Sequence, residues 1–374
     1  MSGGDAAMAD LLKDALNKDY LDKLAQDFAK VYDQFRSDDF VAAVLDETWD
    51  NLELKARMRQ ITVNIKKFLP DNYAKAINII DKVIVNYGDW RTGFGAMFLP
   101  DFVEVYGQDD TNWDISIAAL ERYTPHASAE FAVRPFIIKD VKRMMAQMLA
   151  WSKSESGDVR RLASEGCRPA LPWAQALLGF KKDPTPILPI LEQLKADPDA
   201  YVRKSVANNL NDISKTHPEL VAKIAKEWHG NNKDTDWIVK HACRTLLKQS
   251  NRDVLAIFGF DDADAVVTEN FAIDSRSVSI GDNFNFSFAI SAKADTKMRL
   301  EYAIDFVKAK GKRSRKIFQI SESMLSAGKS KIYTKNHSFA DLSTRTHYAG
   351  VHSITLIVNG AERGTLDFEL TADI

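Results

Sequence analysis

The stretch DVRRLASEGCRPALPW, residues 158–173, combines a helical pattern with an abrupt end. Asp158 can cap the amino end of a helix. Charged side chains then follow at helical spacing: Arg161, Glu165 and Arg168. Pro169 and Pro172 end the helix and are followed by Trp173. Because a core helix repeats apolar residues on its buried face, this helix is expected to expose a charged face.

Two later stretches repeat this pattern. VRRLASEG from residue 159 aligns with VRKSVANN from 202 and IVKHACRT from 238, at offsets of 43 and 36 residues. Such periods are typical of HEAT-type helix pairs, which stack into a solenoid. The register predicts buried apolar positions on three inner helices: Val159, Leu162, Val202, Val206, Ile238 and Leu246. It also predicts three polar stripes, on either the convex or the concave side: Arg161/Glu165/Arg168, Lys204/Asn208/Asp212 and Lys240/Arg244/Lys248.

The periodicity changes near residue 260. The chain before it is helical almost throughout, whereas the chain after it alternates apolar and polar residues between Gly, Asp, Asn and Ser. That alternation predicts six or seven short antiparallel strands in a small β-sandwich. We therefore predict a mainly α protein: a HEAT-like helical-repeat domain over 1–260 and an immunoglobulin-like sandwich over 266–374, joined by FDDADA (260–265).

Composition limits the class of protein. The 374 residues are 45% hydrophobic and 27% charged, as in ordinary soluble proteins. No apolar run approaches the roughly 18 residues of a membrane helix, and the amino terminus does not resemble a signal peptide. Two cysteines favour a reducing compartment over a disulfide framework. We expect a cytoplasmic protein of the bacterial cytosol or nucleoid, with no membrane partner.

Motif searches exclude several site types. The seven histidines have no metal-ligand spacing, and GFGAMF (93–98) lacks the third glycine of a dinucleotide fingerprint. We therefore predict no metal and no cofactor. The basic residues are concentrated in KAKGKRSRK (308–316), where six of nine residues are Lys or Arg. This run is either a solvated hairpin tip or a footprint for phosphates.

The helical motifs resemble a known family. VRRLASEG with the following RP and LPW, YVRKSVANNLNDISKTHPELV and WIVKHACRTLL are similar to AlkC-type members of the alkylpurine DNA glycosylase superfamily, to which AlkD belongs. The C-terminal domain resembles the immunoglobulin-like domain of a subset of AlkC proteins. The resemblance implies excision of cationic bases such as 3-methyladenine and 3-methylcytosine from double-stranded DNA, without flipping into a deep pocket.

Five positions match the family's active-site motifs: Glu121, Arg161, Glu165, Trp173 and Asp212. Two positions depart from the pattern of AlkD relatives. Ile117 stands where they have an acidic residue, and Asn208 stands where they have an aromatic one. The aromatic cleft of AlkD is therefore not reproduced, and the identity of the catalytic carboxylate stays open.

Cleavage of an N-glycosidic bond develops positive charge on the deoxyribose. A carboxylate can stabilise that charge and orient a water molecule. The predicted catalytic carboxylates, in order of preference, are Glu165, Glu121 and Asp212. The alternative for each is a surface carboxylate paired with a neighbour, such as Glu165 with Arg161.

The remaining site residues are expected to hold the substrate. Lesion contacts are predicted for Trp173, Trp113 and Asn208, although burial is the alternative for both tryptophans and is favoured for Trp113. Phosphate contacts are predicted for eight cations: Arg161, Arg168, Lys204, Lys240, Arg244, Lys312, Arg313 and Arg315.

We thus expect a monomeric, monofunctional DNA N-glycosylase of base excision repair, since no lysine stands out as a Schiff-base nucleophile for strand cleavage. Two other functions compete. One is a non-catalytic HEAT-repeat binder of damaged or unusual DNA. The other is a protein–protein adaptor, a common use of HEAT arrays.

Overall fold

The computed structural model describes residues 12–85, 93–260, 262–341 and 346–372. It divides into two compact units between Thr216 and His217. The first unit is helical: α1 Lys18–Val31, α2 Ser37–Val44, α3 Leu54–Lys67, α4 Tyr73–Val85, α5 Phe98–Tyr106, α6 Trp113–Tyr123, α7 Val133–Lys139, α8 Val141–Trp151, α9 Gly157–Glu165, α10 Leu178–Lys182, α11 Leu188–Leu194 and α12 Ala200–Ile213.

Helix α9 begins earlier than the sequence suggests. The Oγ of Ser156, rather than the carboxylate of Asp158, caps it by accepting a hydrogen bond from the Val159 backbone N–H (3.5 Å). The predicted end is confirmed, because the helix stops at Glu165, ahead of Pro169. Helix capping by a hydroxyl satisfies an otherwise unpaired N–H, so Ser156 sets the start of this helix.

Helices α9 and α12 pack against each other through small and apolar side chains. Leu162 and Val206 are fully buried, as the repeat register predicts. The Oγ atoms of Ser164 and Ser205 lie 2.6 Å apart, and the Asn209 side chain donates to the Ser164 carbonyl (2.8 Å). These contacts fix the position of α9 relative to α12. Arg168, just after α9, therefore lies beside Asp212, near the end of α12.

The second unit begins with four helices: α13 Pro218–Trp228, α14 Lys233–Ala242, α15 Arg244–Lys248 and α16 Arg252–Ile257. The stretch IVKHACRT does not form one continuous helix. It is interrupted at Cys243, whose ψ of 1° is not helical. The predicted stripe is therefore split, with Lys240 on α14 and both Arg244 and Lys248 on α15.

Strands follow from Val266, where the change in periodicity predicts them: β1 Val266–Ile273, β2 Ser277–Ser279, β3 Asn283–Ala292, β4 Thr296–Val307, β5 Arg313–Leu325, β6 Ser330–Ser338, β7 Gly350–Val358 and β8 Ala361–Thr371. They form a sheet of order β1-β3-β6 and a sheet of order β2-β8-β7-β4-β5. All pairs are antiparallel except β2 with β8. The predicted all-β unit after a helical one is confirmed.

Alternation in β3 builds the core of the sandwich. Phe284, Phe286 and Phe288 point inward from this strand and are almost fully buried. Phe284 stacks on Phe368 of β8, with ring centroids 4.4 Å apart. Burying such rings removes a large apolar area from water, and the core formed in this way holds both sheets together.

Strand β5 was not recognised as a separate strand in the sequence, because it begins with the charged residues RSRK. The preceding residues form a tight turn in which the Lys308 N–H donates to the Lys312 carbonyl (2.9 Å) and Gly311 has a φ of +74°. The basic run therefore forms a hairpin tip, and its predicted contact with phosphates stays a prediction. No helix in the described parts of the chain is long and apolar enough to cross a bilayer.

Candidate active site

The first unit contains a cavity of about 480 Å³, which we call the Glu165 cavity. It lies beside the carboxyl end of α9. Charged and aromatic side chains contribute to its lining: Lys55, Glu130, Phe131, Arg161, Glu165, Trp173 and Tyr201. Four of the residues predicted from sequence therefore line one cavity: Arg161, Glu165, Arg168 and Trp173.

Glu165 is the last residue of α9 and is only 5% exposed. Its Oε1 accepts a hydrogen bond from Arg168 Nη1 at 2.6 Å and lies 3.4 Å from Arg161 Nη2. Both contacts are made to the same oxygen, and Glu165 also contributes to the lining of the cavity.

Arg168 joins Glu165 to a second carboxylate. Its Nε donates to Asp212 Oδ2 at 2.9 Å, and Asp212 Oδ1 accepts from Lys215 Nζ at the same distance. Burial acts to lower the pKa of Arg168, but Glu165 and Asp212 outweigh it and raise that pKa above its usual value. The side chain of Arg168 is 8% exposed and is held by two carboxylates, so it positions them, and its predicted phosphate-binding role stays a prediction.

Arg161 holds a carboxylate that the sequence did not single out. Its Nη1 pairs with Glu130 Oε2 and donates to Ser128 Oγ at 2.6 Å. Its guanidinium carbon lies 4.8 Å from the centroid of the Tyr201 ring. The side chain of Arg161 is 11% exposed and also lies near Glu165, so it links two carboxylates, and its predicted phosphate contact stays a prediction.

Trp173 has the geometry expected of a contact residue. It is 70% exposed and has a φ of +62°, a left-handed conformation that residues other than glycine rarely adopt. Its carbonyl accepts a hydrogen bond from Lys55 Nζ at 2.9 Å, and the same Nζ lies 4.4 Å from the Phe131 ring centroid. Lys55 on α3 thus holds the backbone of this exposed indole.

A buried arginine anchors the loop that carries Trp173. Arg134 is 1% exposed and donates to the carbonyls of Gly166 (3.0 Å), Arg168 (3.0 Å) and Gln175 (2.7 Å). Burial lowers the pKa of Arg134 to about 10, so the side chain stays charged at neutral pH. Neither Arg134 nor Lys55 belongs to a repeated motif, and neither was found from the sequence.

Comparison with known proteins places this site in a family. Residues 124–246 match the family model described as DNA alkylation repair enzyme, and residues 267–372 match that of the C-terminal Ig-like domain of the uncharacterised protein YhaZ. The chain is 45% identical to uncharacterized protein YhaZ of Bacillus subtilis (strain 168) over 363 residues, 97% of this chain and 100% of that protein.

A solved structure extends the match. It is the Pseudomonas fluorescens alkylpurine DNA glycosylase AlkC bound to DNA containing an abasic site analog, with 36% identity and a TM-score of 0.85. The match covers 96% of this chain and 99% of that one. The chain belongs to the DNA alkylation repair family, in its AlkC type. The resemblance drawn from the sequence motifs is therefore confirmed.

Glu121 and Trp113 are among the predicted residues of this AlkC-type chain that do not line the Glu165 cavity. Glu121 is half-buried on α6, and its Oε2 accepts a hydrogen bond from Trp151 Nε1 at 2.9 Å. Trp113 is buried, packs edge-on against Phe136 at 5.4 Å, and has the Arg143 guanidinium carbon 4.3 Å from its ring centroid. The prediction of Trp113 as a lesion contact is corrected. Trp113 is a core residue, because it lies on the buried apolar face of α6 at the first turn of that helix.

On α12, the predicted polar positions are separated by burial. Lys204 is exposed, Asn208 is half-buried, and Asp212 is 4% exposed. Neither Lys204 nor Asn208 contributes to the lining of the Glu165 cavity. The predicted roles of Lys204 in phosphate binding and of Asn208 in lesion contact therefore stay predictions.

The cations of the second unit differ in how firmly they are held. Arg313 donates to Ser353 Oγ (2.8 Å) and the Val351 carbonyl (2.7 Å), and Arg315 pairs with Glu362 at 2.6 Å. In this AlkC-type chain β5 is the edge strand beside β4, and its two arginines reach across β4 to residues of β7 and β8. Of the remaining predicted cations on this unit, Lys240 and Lys312 are exposed, whereas Arg244 is half-buried and donates to the His241 carbonyl (2.7 Å).

The described residues include no group of three or more His, Cys, Asp or Glu side chains arranged to hold a metal ion. Glu130 is the residue that sequence reasoning missed. It lies in the loop between α6 and α7, outside the repeats, where no periodic pattern marks it.

Proposed function

We propose that the chain is a DNA glycosylase that removes cationic alkylated bases from double-stranded DNA by hydrolysis. The observation that carries the proposal is a buried carboxylate, Glu165, held by two guanidinium groups at the wall of an aromatic cavity. The family membership and the AlkC relative bound to abasic-site DNA support the same reaction class.

The chemistry suits a leaving group that is already charged. As the N-glycosidic bond breaks, its electron pair moves to the alkylated base and neutralises it, so the base needs little protonation. The deoxyribose becomes an oxocarbenium-like cation. Water then bonds to the anomeric carbon and loses a proton, which leaves an abasic site and a free base. Bases such as 3-methyladenine and 3-methylcytosine meet this requirement.

Glu165 is the group we assign to the developing cation. A fixed anion in a site shielded from water stabilises positive charge more than the same anion does in solution. Arg168 and Asp212 act behind it, since their contacts hold Oε1 and leave Oε2 for the sugar or the attacking water. Asp212 is thus proposed as a positioning residue rather than a catalytic one.

Glu130 replaces Glu121 as the second carboxylate in this proposal. It lines the Glu165 cavity and is tied by Arg161 to the same wall as Glu165, whereas Glu121 is bonded to Trp151. A carboxylate in this position can orient or deprotonate the water. Trp173 and Tyr201 provide flat aromatic surfaces that attract a cationic base.

The test is release of free base from DNA that carries 3-methyladenine, 3-methylcytosine or 7-methylguanine. Glu165→Gln should lower the release rate at least about a hundredfold, because one preorganised electrostatic contact at a reacting centre has that effect. Its affinity for DNA with an abasic site analogue should stay close to wild type. The matched control is Glu155→Gln, since Glu155 lies on the exposed surface ahead of α9.

Three results would contradict the proposal. Wild-type protein that binds methylated DNA but releases no base would identify a non-catalytic binder instead. Wild-type release rates in both Glu165→Gln and Glu130→Gln would show that the reaction occurs elsewhere. Strand cleavage after base release would contradict the monofunctional reaction.

A further inference from the structure

The second unit contains its own cavity, about 630 Å³ in volume, which we call the Trp237 cleft. It lies between the helices α14 and α15 and the strands β4 and β5. The helices contribute Trp237, Lys240 and Lys248, and the strands contribute Lys297 and Gln319. None of the reaction steps proposed above uses it.

The Trp237 cleft has an excess of positive charge. Five Lys or Arg side chains line it, against two acidic ones. The acids are already engaged: Asp236 lies 3.1 Å from His229 Nδ1, and Glu322 pairs with Arg299 and lies 3.6 Å from Lys240 Nζ. An anionic ligand is therefore favoured, and phosphate groups are the anions that clustered Lys and Arg bind best.

An exposed aromatic pair lies among these cations. The rings of Trp237 and His241 are nearly parallel, with 6° between their planes and centroids 5.2 Å apart. Histidine covers one face of the indole, yet Trp237 remains 46% exposed. A flat aromatic surface beside cations matches a nucleotide, whose base can stack while its phosphate is held.

The exposed ring face of Trp237 favours unpaired over paired nucleic acid. In a duplex, base faces are stacked on one another, so only base edges and the backbone are presented to a protein. An unpaired base, in contrast, offers its whole face to an aromatic side chain. A cavity of about 630 Å³ is also in the size range of pockets for single small ligands, which suits one or two nucleotides.

The walls of the cleft are held in place. Arg299 and Glu301 are both nearly fully buried and pair at 2.8 Å, and Ser250 Oγ donates to Glu301 Oε2 at 2.6 Å. Lys297 Nζ donates to the Phe258 carbonyl at 2.8 Å. These bonds join the last helices to β4, so the cleft is preorganised and ligand binding need not order its walls.

We infer that the Trp237 cleft binds single-stranded DNA, with an unpaired base stacked on Trp237 and the adjoining phosphates on Lys240 and Lys248. This inference goes beyond base excision and does not depend on it. It assigns the chain a second DNA contact, for strands whose bases are unpaired.

The experiment measures binding of the full chain to a fluorescently labelled thymidine oligonucleotide of about eight residues and to a duplex of the same length. Trp237→Leu should weaken single-strand binding about tenfold, and Trp237→Phe, which keeps an aromatic face, should weaken it less. Lys248→Gln should weaken binding and reduce its salt dependence. Lys223→Gln is the matched control, because Lys223 is an exposed lysine on α13 outside the cleft.

Three outcomes would overturn the inference: unchanged single-strand affinity in Trp237→Leu, an equal loss in Trp237→Leu and Lys223→Gln, or an equal loss for duplex and single strand. Circular dichroism of each variant separates lost binding from lost folding. Absence of base release by the wild type would refute the excision proposal alone, since single-strand binding is measured on undamaged DNA.

Discussion

Residues 158–173 and residues 237–248 share a repeat pattern, yet they form different kinds of surface. In the first stretch the charges are withdrawn from water: Glu165 and Arg168 are paired and less than a tenth exposed. In the second stretch the helix is interrupted at Cys243, and Lys240 keeps 63% of its side chain exposed. Charged residues of the repeat thus form a buried cluster with Glu165 and Arg168 in the first unit, whereas in the second unit they line the open Trp237 cleft.

The difference shows that burial and pairing decide what a charged residue can do. A buried ion is costly unless partners compensate for the water that it loses. Arg168 and Arg161 compensate for the water that Glu165 loses on burial. Their contacts also fix the orientation of its side chain before any substrate binds. Exposed cations such as Lys248 stay hydrated and mobile, which suits phosphates that differ in position from one ligand to another.

The largest effect is expected from breaking the buried cluster. Arg168→Met removes the shared partner of Glu165 and Asp212 and should lower the free energy of unfolding by about 3–5 kcal/mol. Lys248→Met removes a charged residue of the stripe in the second stretch and should change the free energy of unfolding by less than about 0.5 kcal/mol. Urea denaturation of both variants measures the contrast. Similar losses in the two would mean that burial does not distinguish the stretches.

The next effect concerns the second carboxylate. Glu130→Gln should reduce the release of 3-methyladenine about a hundredfold, since Glu130 faces the Glu165 cavity. Glu121→Gln should leave release near the wild-type rate, because Trp151 already occupies that carboxylate. Single-turnover kinetics isolates the chemical step from product release. The opposite ranking would restore Glu121 as the partner of Glu165.

The smallest expected effect on base release distinguishes a tryptophan that contacts the substrate, Trp173, from one that stabilises the fold, Trp113. Trp173→Ala should reduce base release about tenfold, as loss of one aromatic contact to a cation or base does. Its free energy of unfolding should stay within about 0.5 kcal/mol of wild type, because the side chain is largely exposed. Trp113→Ala should instead lower stability by about 3–5 kcal/mol, since it removes a buried ring. A large loss of stability in Trp173→Ala would assign that residue to the core as well.

Several features of the fold could be predicted from local patterns. The positions Val159, Val202 and Ile238 are buried as the register requires, and strands begin where the alternation starts. The interruption at Cys243 could not be predicted, because no glycine or proline marks it. Strand β5 was missed since its charged beginning imitates a loop.

The site was predicted in part, and for an identifiable reason. Glu165 and Trp173 belong to the repeated stretch, and a motif could point to them. Glu130 lies in a loop, and Lys55 comes from α3, more than a hundred residues before the indole that it holds. Contacts between distant segments leave no periodic trace in one sequence.

The periodicity of apolar residues depends on neighbours three or four positions apart, or two apart in strands, and it was enough to specify the helices, the sandwich and the family resemblance. Which charges are buried depends instead on packing between distant elements. Arg168 reaches Asp212, 44 residues along the chain, only because α9 packs on α12. Desolvation and pairing act across that contact, so the folded chain alone determines that Glu165 faces a cavity as a held anion while Lys248 remains in water.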